Sequence, residues 1–203
     1  RYRQAAERFE GGLLYGPTGE ELWGANLGII GFGASGRELA HRARSFGMRI
    51  LAIDKYPIPS PVLDELKPEL AGDSGDLDEV VAQSDYLSLH LHLSEETHHL
   101  IDEKRLARMK PGACIINVAR GALVDEEALY RALQAGRLGG AGLDVFADEP
   151  PNPTAPIYQL PNVVATPHIA GVTTGTSRRR AQCAAANVEL IATGDEPLYR
   201  IDL

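Results

Sequence analysis

The chain has 203 residues, 44% of them hydrophobic and 24% charged, and carries a formal net charge of −8. A chain of that length buries a sizeable core without disulfides or metal. Its acidic balance argues against a nucleic-acid partner or an anionic membrane surface, because both demand clustered Lys and Arg.

The two cysteines, Cys114 and Cys183, lie far apart and in no metal-ligand spacing, so neither a disulfide framework nor a metal site is expected. Cys114 opens an apolar run and reads as core, and cytoplasmic residence fits this cysteine usage best. No apolar run has the length a membrane span needs. The one basic run, Arg178-Arg179-Arg180, sits in a helix-like stretch and reads as a solvated face.

In chain order, residues 1–10 form a polar, helix-like piece leading into Gly11-Gly12. Then short apolar runs alternate with helical patterns. LGII at 27–30, RILAI at 49–53, YLSLH at 86–90, CIINV at 114–118, AGLDV at 141–145 and NVVAT at 162–166 read as strands. Most are nearly continuous in apolar residues, the pattern of strands covered on both faces. Helices are expected over 36–46, 77–83, 102–108 and 126–135, with Asp125 capping the last and Gly136 ending it. Residues 56–71 hold four prolines, at 57, 59, 61 and 68, and read as a surface loop. An Ala-rich helix over 174–193 has no obvious place in the sheet. Strand and helix in alternation imply an α/β fold with a doubly wound parallel sheet and right-handed crossovers.

One motif stands on this framework. Gly31-Phe32-Gly33-Ala34-Ser35-Gly36 fits GxGxxG, follows the first strand and opens the first helix, the context of a Rossmann-type dinucleotide site. Gly31 permits the tight turn, Gly33 lets the backbone approach a pyrophosphate, and Gly36 lets helix and strand pack closely. The pyrophosphate is then expected on the amides of the helix N-terminus. Asp54 ends the next strand, eighteen positions after Gly36, where a carboxylate binds the adenosine ribose and repels a 2′-phosphate. NAD is therefore favoured over NADP, although Lys55 beside it could soften that preference.

Three polar segments follow later strands: Asn117-Val118-Ala119-Arg120-Gly121, Asp144-Val145-Phe146-Ala147-Asp148-Glu149-Pro150 and Thr166-Pro167-His168-Ile169-Ala170-Gly171. The carboxyl edge of an open parallel sheet is where ligands bind. Through these segments, NVARGALVDEEAL, GAGLDVFADEP and VVATPHIAG occurring in one order, the sequence resembles the D-isomer-specific 2-hydroxyacid dehydrogenases from about residue 16 to 197. The resemblance implies hydride transfer between NAD and a D-2-hydroxy acid or its 2-keto partner, with Arg120, Glu149 and His168 at the catalytic positions. Arg120 would clamp the substrate, His168 would move the proton, and Glu149 would hold the far ring nitrogen of His168. Asp144 resembles the residue that holds the nicotinamide carboxamide. His90 and Thr97 fall in the segment lining the cofactor, and Val118, Ala119 and Gly171 are expected at the same cleft.

Taken singly, an Arg after a strand is more often an ion-pairing residue, and a His near Pro a satisfied structural one. Together, after a supported dinucleotide motif, they point to catalysis. His41, His98 and His99 are expected to face solvent, and His92 stands where relatives usually have proline. Ala34 and Ser35 replace a larger pair that relatives often carry, so a side-chain contact to phosphate is lost while the backbone cradle is not.

The resemblance also implies a division into an inter-domain piece at 1–21, an NAD-binding domain at 22–170 and a returning helix and tail at 171–203. The terminal helices would belong to a substrate domain mostly outside this chain, and a homodimer through the nucleotide domain is expected. An NAD(H)-sensing regulator of the corepressor type shares this fold and much of this motif set, and fold alone does not separate it from an enzyme. Formate oxidation is disfavoured, because those relatives depart from the His–Glu pairing.

Overall fold

The computed structural model describes residues 10–11 and 19–200. The helix expected over 1–10 therefore lies outside the described residues, Glu10 excepted. The chain divides into two units, one ending at Pro167 and one beginning at His168.

Among the described residues, the first unit contains seven strands, β1 (Asn26–Ile30), β2 (Arg49–Ile53), β3 (Leu70–Gly72), β4 (Tyr86–Leu89), β5 (Cys114–Asn117), β6 (Gly140–Leu143) and β7 (Val163–Ala165). They form one sheet in the order β3-β2-β1-β4-β5-β6-β7, every neighbouring pair parallel. The order reverses between β1 and β4, the place where an open α/β sheet forms its ligand crevice. Helices α1 (Ala34–Ser45), α2 (Ser60–Leu66), α3 (Leu77–Gln83), α4 (Glu103–Arg108), α5 (Glu126–Gln134) and the short α6 (Pro156–Gln159) fill the crossovers.

Two apolar clusters cover the two faces. Leu27, Ile29, Ile50 and Ala52 pack with Phe32, Ala40, Ala43 and Leu66 on one side. Ile30, Leu51, Ile53, Leu87, Leu89 and Ile115 pack with residues of α3, α4 and α5, such as Val80, Leu106 and Leu129, on the other. Alternate residues of β1 and β2 thus serve opposite cores, which is why those strands show no polar alternation. The doubly wound fold is the one the sequence implies.

Local chemistry sets the element ends. Asp125 caps α5 by accepting the Ala128 amide at 3.0 Å, and Gly136 follows with φ 67°. Asp102 caps α4 in the same way through the Arg105 amide at 2.9 Å. At the foot of the sheet, Asp85 accepts the Asn26 amide and the Lys110 ammonium, both at 2.8 Å. Burial pushes its carboxyl up, but those donors together hold it below the ordinary carboxylate value.

Two expectations need correction. Residues 56–71 are not simply a loop, since they contain α2 and the start of β3. Pro59 and Pro61 lie at the N-terminus of α2, where a missing amide costs nothing. Lys67, at φ 42°, ends the helix, and the Glu69 amide then bonds the Ile50 carbonyl at 2.8 Å to start the edge strand. Cys114 is half-buried rather than a core residue.

The second unit consists mainly of α7 (Thr174–Thr193), started by a reciprocal Thr173–Thr176 capping box and ended by Gly194 at φ 82°. No residue of α7 is buried, and Arg178, Arg179 and Arg180 are exposed along it.

Packing at β1 generates a test. A Cβ on Gly28 would meet Ser84 Oγ at 2.1 Å, and that hydroxyl is buried and donates to the Val80 carbonyl at 2.6 Å. Gly28→Ala is expected to cost about 1–3 kcal/mol in urea unfolding, as overpacking does. The same change in a Ser84→Ala background is expected to cost clearly less, because the clashing oxygen is gone.

Candidate active site

The crevice starts with the glycine turn between β1 and α1. Gly31 has φ 95°, and a Cβ there would lie 2.6 Å from the His90 carbonyl oxygen. A Cβ on Gly36 would lie 2.3 Å from the Gly31 carbonyl oxygen. Gly33 differs: its φ is −74°, and a Cβ would meet nothing within 4 Å. Gly31 and Gly36 are therefore required by the protein's own packing, while Gly33 faces open space above the turn. The first-turn amides of α1 have no carbonyl within the helix to bond, and that turn carries no acidic residue. This combination suits an anion. Phe32 is itself buried, so only its backbone belongs to the turn. Arg37 folds back onto it, Nε donating to the Phe32 carbonyl at 2.8 Å.

Asp54 joins this turn to the end of β2. Its Oδ2 accepts the Phe32 amide at 2.7 Å and its Oδ1 the Tyr56 amide at 3.0 Å. A carboxylate has about four acceptor sites, so capacity remains for two ribose hydroxyls. On the other flank, His90 follows β4. Its Nδ1 lies 2.8 Å from Ser35 Oγ and its Nε2 lies 3.0 Å from Ser88 Oγ. Burial lowers its pKa and favours the neutral ring. Thr97 knots its own loop, accepting the Ser94 amide and donating to the His92 carbonyl, each at 2.8 Å.

The loops after β5 and β6 carry the next candidates. Buried Asn117 ends β5 and spans the following turn: its Nδ2 donates to the Arg120 carbonyl at 2.8 Å, and its Oδ1 accepts the Ala119 amide at 3.1 Å. Ala119 is buried, Val118 and Arg120 are exposed, and Arg120 Nη1 donates to the Ala119 carbonyl at 2.6 Å. Asp144 is buried and accepts the Thr166 hydroxyl at 2.6 Å. Glu149 is exposed and folds over its own loop, Oε1 accepting the Phe146 amide at 3.2 Å. The two loops interlock, because a Cβ on Gly121 would lie 1.9 Å from the backbone of Phe146.

Sequence reasoning passed over Asn117, Gly121, Ser88 and Thr166. Asn117, Gly121 and Thr166 stood inside the family motifs and Ser88 inside an expected strand, with no role assigned to any of them. Ser88 meets His90 two residues on, whereas the partner of Thr166 lies 22 residues away, beyond any local pattern.

His168 opens the second unit and takes φ 54°, a left-handed backbone uncommon for a residue with a side chain. Gly171, in the same unit, is exposed, and its carbonyl accepts the Thr176 hydroxyl at 3.0 Å. His41 is exposed beside Glu65, and His98 stacks on His99 with ring centroids 4.0 Å apart. Among the described residues, no group of three or more His, Cys, Asp or Glu side chains is placed to hold a metal ion, and no helix is long and apolar enough to cross a membrane.

Residues 2–170 match the family described as D-isomer specific 2-hydroxyacid dehydrogenase, NAD binding domain. The chain belongs to this family. Among relatives of this dehydrogenase family, a hydroxypyruvate reductase of Thermotoga maritima is 46% identical over 164 residues, covering 80% of this chain and 51% of that one. A glyoxylate reductase of Korarchaeum cryptofilum is 42% identical over 179 residues, covering 88% of this chain and 52% of that one. The crystal structure of an Aquifex aeolicus D-lactate dehydrogenase complexed with NAD and lactic acid superimposes with a TM-score of 0.83 at 33% identity, over 96% of this chain and 62% of that one. The chain thus spans about half the length of the curated relatives named here, and what it contains matches the NAD binding domain of that family.

The glycines make a discriminating experiment. Gly33→Ala is expected to leave urea stability within about 0.5 kcal/mol, as a change in open space does, yet to weaken NADH binding by fluorescence titration. Gly31→Ala is expected to cost about 1–3 kcal/mol, because left-handed strain and the His90 carbonyl oppose it. An unaltered NADH affinity in Gly33→Ala would place the pyrophosphate elsewhere.

His90 sets a pH dependence. Its folded pKa lies below the ordinary 6.5, so the unfolded chain takes up that proton first as pH falls. The stability His90 contributes is complete above 6.5 and declines below it as pH falls toward the folded value. Urea unfolding at a series of pH values should show this decline, and His90→Gln should remove that part of it.

Proposed function

We propose that the protein of which this chain is the NAD-binding domain is a dehydrogenase or reductase interconverting a D-2-hydroxy acid and its 2-keto acid. The observation that carries the reading is the shared edge of the sheet. The glycine turn with Asp54, the Arg120 loop and the Glu149 loop follow β1, β5 and β6 on the carboxyl side of one parallel sheet. Names of relatives, glyoxylate reductase and hydroxypyruvate reductase among them, point to small 2-keto acids as substrates.

In this reading the backbone amides after Gly33 seat the pyrophosphate and Asp54 takes the ribose hydroxyls, which favours NAD over NADP. His90, Thr97, Val118, Ala119, Asp144 and Gly171 line or shape the rest of the dinucleotide site. The bound nicotinamide supplies or accepts the hydride. Arg120 presents a planar fork to the substrate carboxylate or carbonyl. His168 gives a proton to the substrate oxygen during reduction and removes it during oxidation, and Glu149 holds its far ring nitrogen. The family resemblance supports that last pairing.

Residues 1–21 and 171–203 are read as the inter-domain connection and the returning helix of a longer, cytoplasmic protein. Pairing of two copies through the nucleotide domain completes the proposal.

The test is a steady-state assay of the full-length protein with glyoxylate, hydroxypyruvate and pyruvate. His168→Gln is expected to lower kcat by about 10²–10⁴-fold, the usual value of a positioned acid or base, while NADH still binds. Arg120→Gln is expected to act mainly on the KM of the keto acid. Tight NADH binding with no useful reduction of any 2-keto acid would overturn the enzyme reading in favour of a sensor.

A further inference from the structure

The loops after β2 and β4 flank the glycine turn, because β1 lies between those two strands. One ion pair crosses from loop to loop: Lys55 Nζ donates to Glu96 Oε2 at 2.7 Å. Lys55 is the residue next to Asp54, whose carboxylate caps the turn. It is therefore a cation placed to meet a 2′-phosphate on the adenosine ribose, and it is turned toward the opposite loop instead.

Glu96 does not reach Lys55 from a loose segment. Thr97 Oγ1 ties the chain at Ser94 and His92, and the His98 amide bonds the Ser94 carbonyl at 2.9 Å. The His99 amide then bonds the Ala122 carbonyl at 2.8 Å, anchoring the loop to the turn after Arg120. Glu96 is thus held within reach of Lys55 by four backbone and hydroxyl contacts that do not involve its own side chain. Each partner of the pair holds the other in its charged form: the Lys55 ammonium is raised by Glu96, and the Glu96 carboxyl is lowered by Lys55.

We propose that Glu96 is a specificity-determining residue that excludes NADP by occupying Lys55. It neutralises and withdraws the cation that follows the ribose-binding carboxylate in the chain. A 2′-phosphate entering there meets Asp54 with that ammonium already engaged. A 2′-hydroxyl meets only the acceptor it needs. The inference rests on the ribose role proposed for Asp54 and goes beyond it, because it assigns part of the discrimination to the loop after β4.

Both side chains are well exposed, at 61% and 73%, so the pair is screened by salt and its influence is moderate. The test is fluorescence titration of the 203-residue chain with NADH and with NADPH at low salt. Glu96→Gln is expected to shift the affinity ratio toward NADPH by about 2- to 5-fold, the size expected of an exposed pair. That shift should vanish in Glu96→Gln/Lys55→Met, where no ammonium remains to be released, and should shrink at about 0.5 M salt, where screening is strong.

An unchanged ratio in Glu96→Gln, or a shift that persists without Lys55, overturns the proposal. Asp54→Ala separates the two layers. If it relaxes the ratio while Glu96→Gln does not, only the role of Glu96 fails. If Asp54→Ala leaves the ratio unchanged, the ribose reading fails and this inference fails with it.

Discussion

The close approach of α1 to the end of β1 governs the rest of the molecule. A methyl group on residue 36 would sit 2.3 Å from the Gly31 carbonyl, and one on residue 31 would strike the carbonyl of His90. These contacts are between backbones, so they hold the helix N-terminus and the turn against the loop after β4, with the turn in reach of one side chain, Asp54. Its carboxylate then fastens the Phe32 and Tyr56 amides together. An anion seat and a carboxylate for the ribose follow from the same packing event.

A second approach of this kind shapes the other half of the edge. Gly121 lets the Arg120 loop lie against the backbone of Phe146, and Asn117 satisfies both ends of the turn between them. Polar groups buried this way are expensive unless bonded, and each has found a partner. Asp144 has the Thr166 hydroxyl, and His90 has two serine hydroxyls. The apolar clusters below are ordinary by comparison. What individualises this sheet is a row of short, fully engaged polar side chains along one edge.

Much of this was legible in the residues. Strand positions followed from apolar runs, because strands buried on both faces have no polar side to alternate. The caps at Asp125 and Gly136 followed from their chemistry. The glycine turn and Asp54 were readable because each needs a residue type that few alternatives supply. The four prolines of residues 57–68 misled, since proline marks a helix start as readily as a loop, and the edge strand shows itself only in its pairing with β2. The Lys55–Glu96 pair was illegible for another reason. Its meaning depends on which loops the strand order makes neighbours, and no periodicity records that.

The two outermost strands, β3 and β7, are only three residues long. A sheet edge is a row of unsatisfied amides and carbonyls on which a stray strand from another chain can nucleate. Here each margin offers too few of them to hold a foreign segment in register, although Val164 is apolar and exposed. Brevity at the margins thus guards an otherwise open parallel sheet against runaway fibril-like growth.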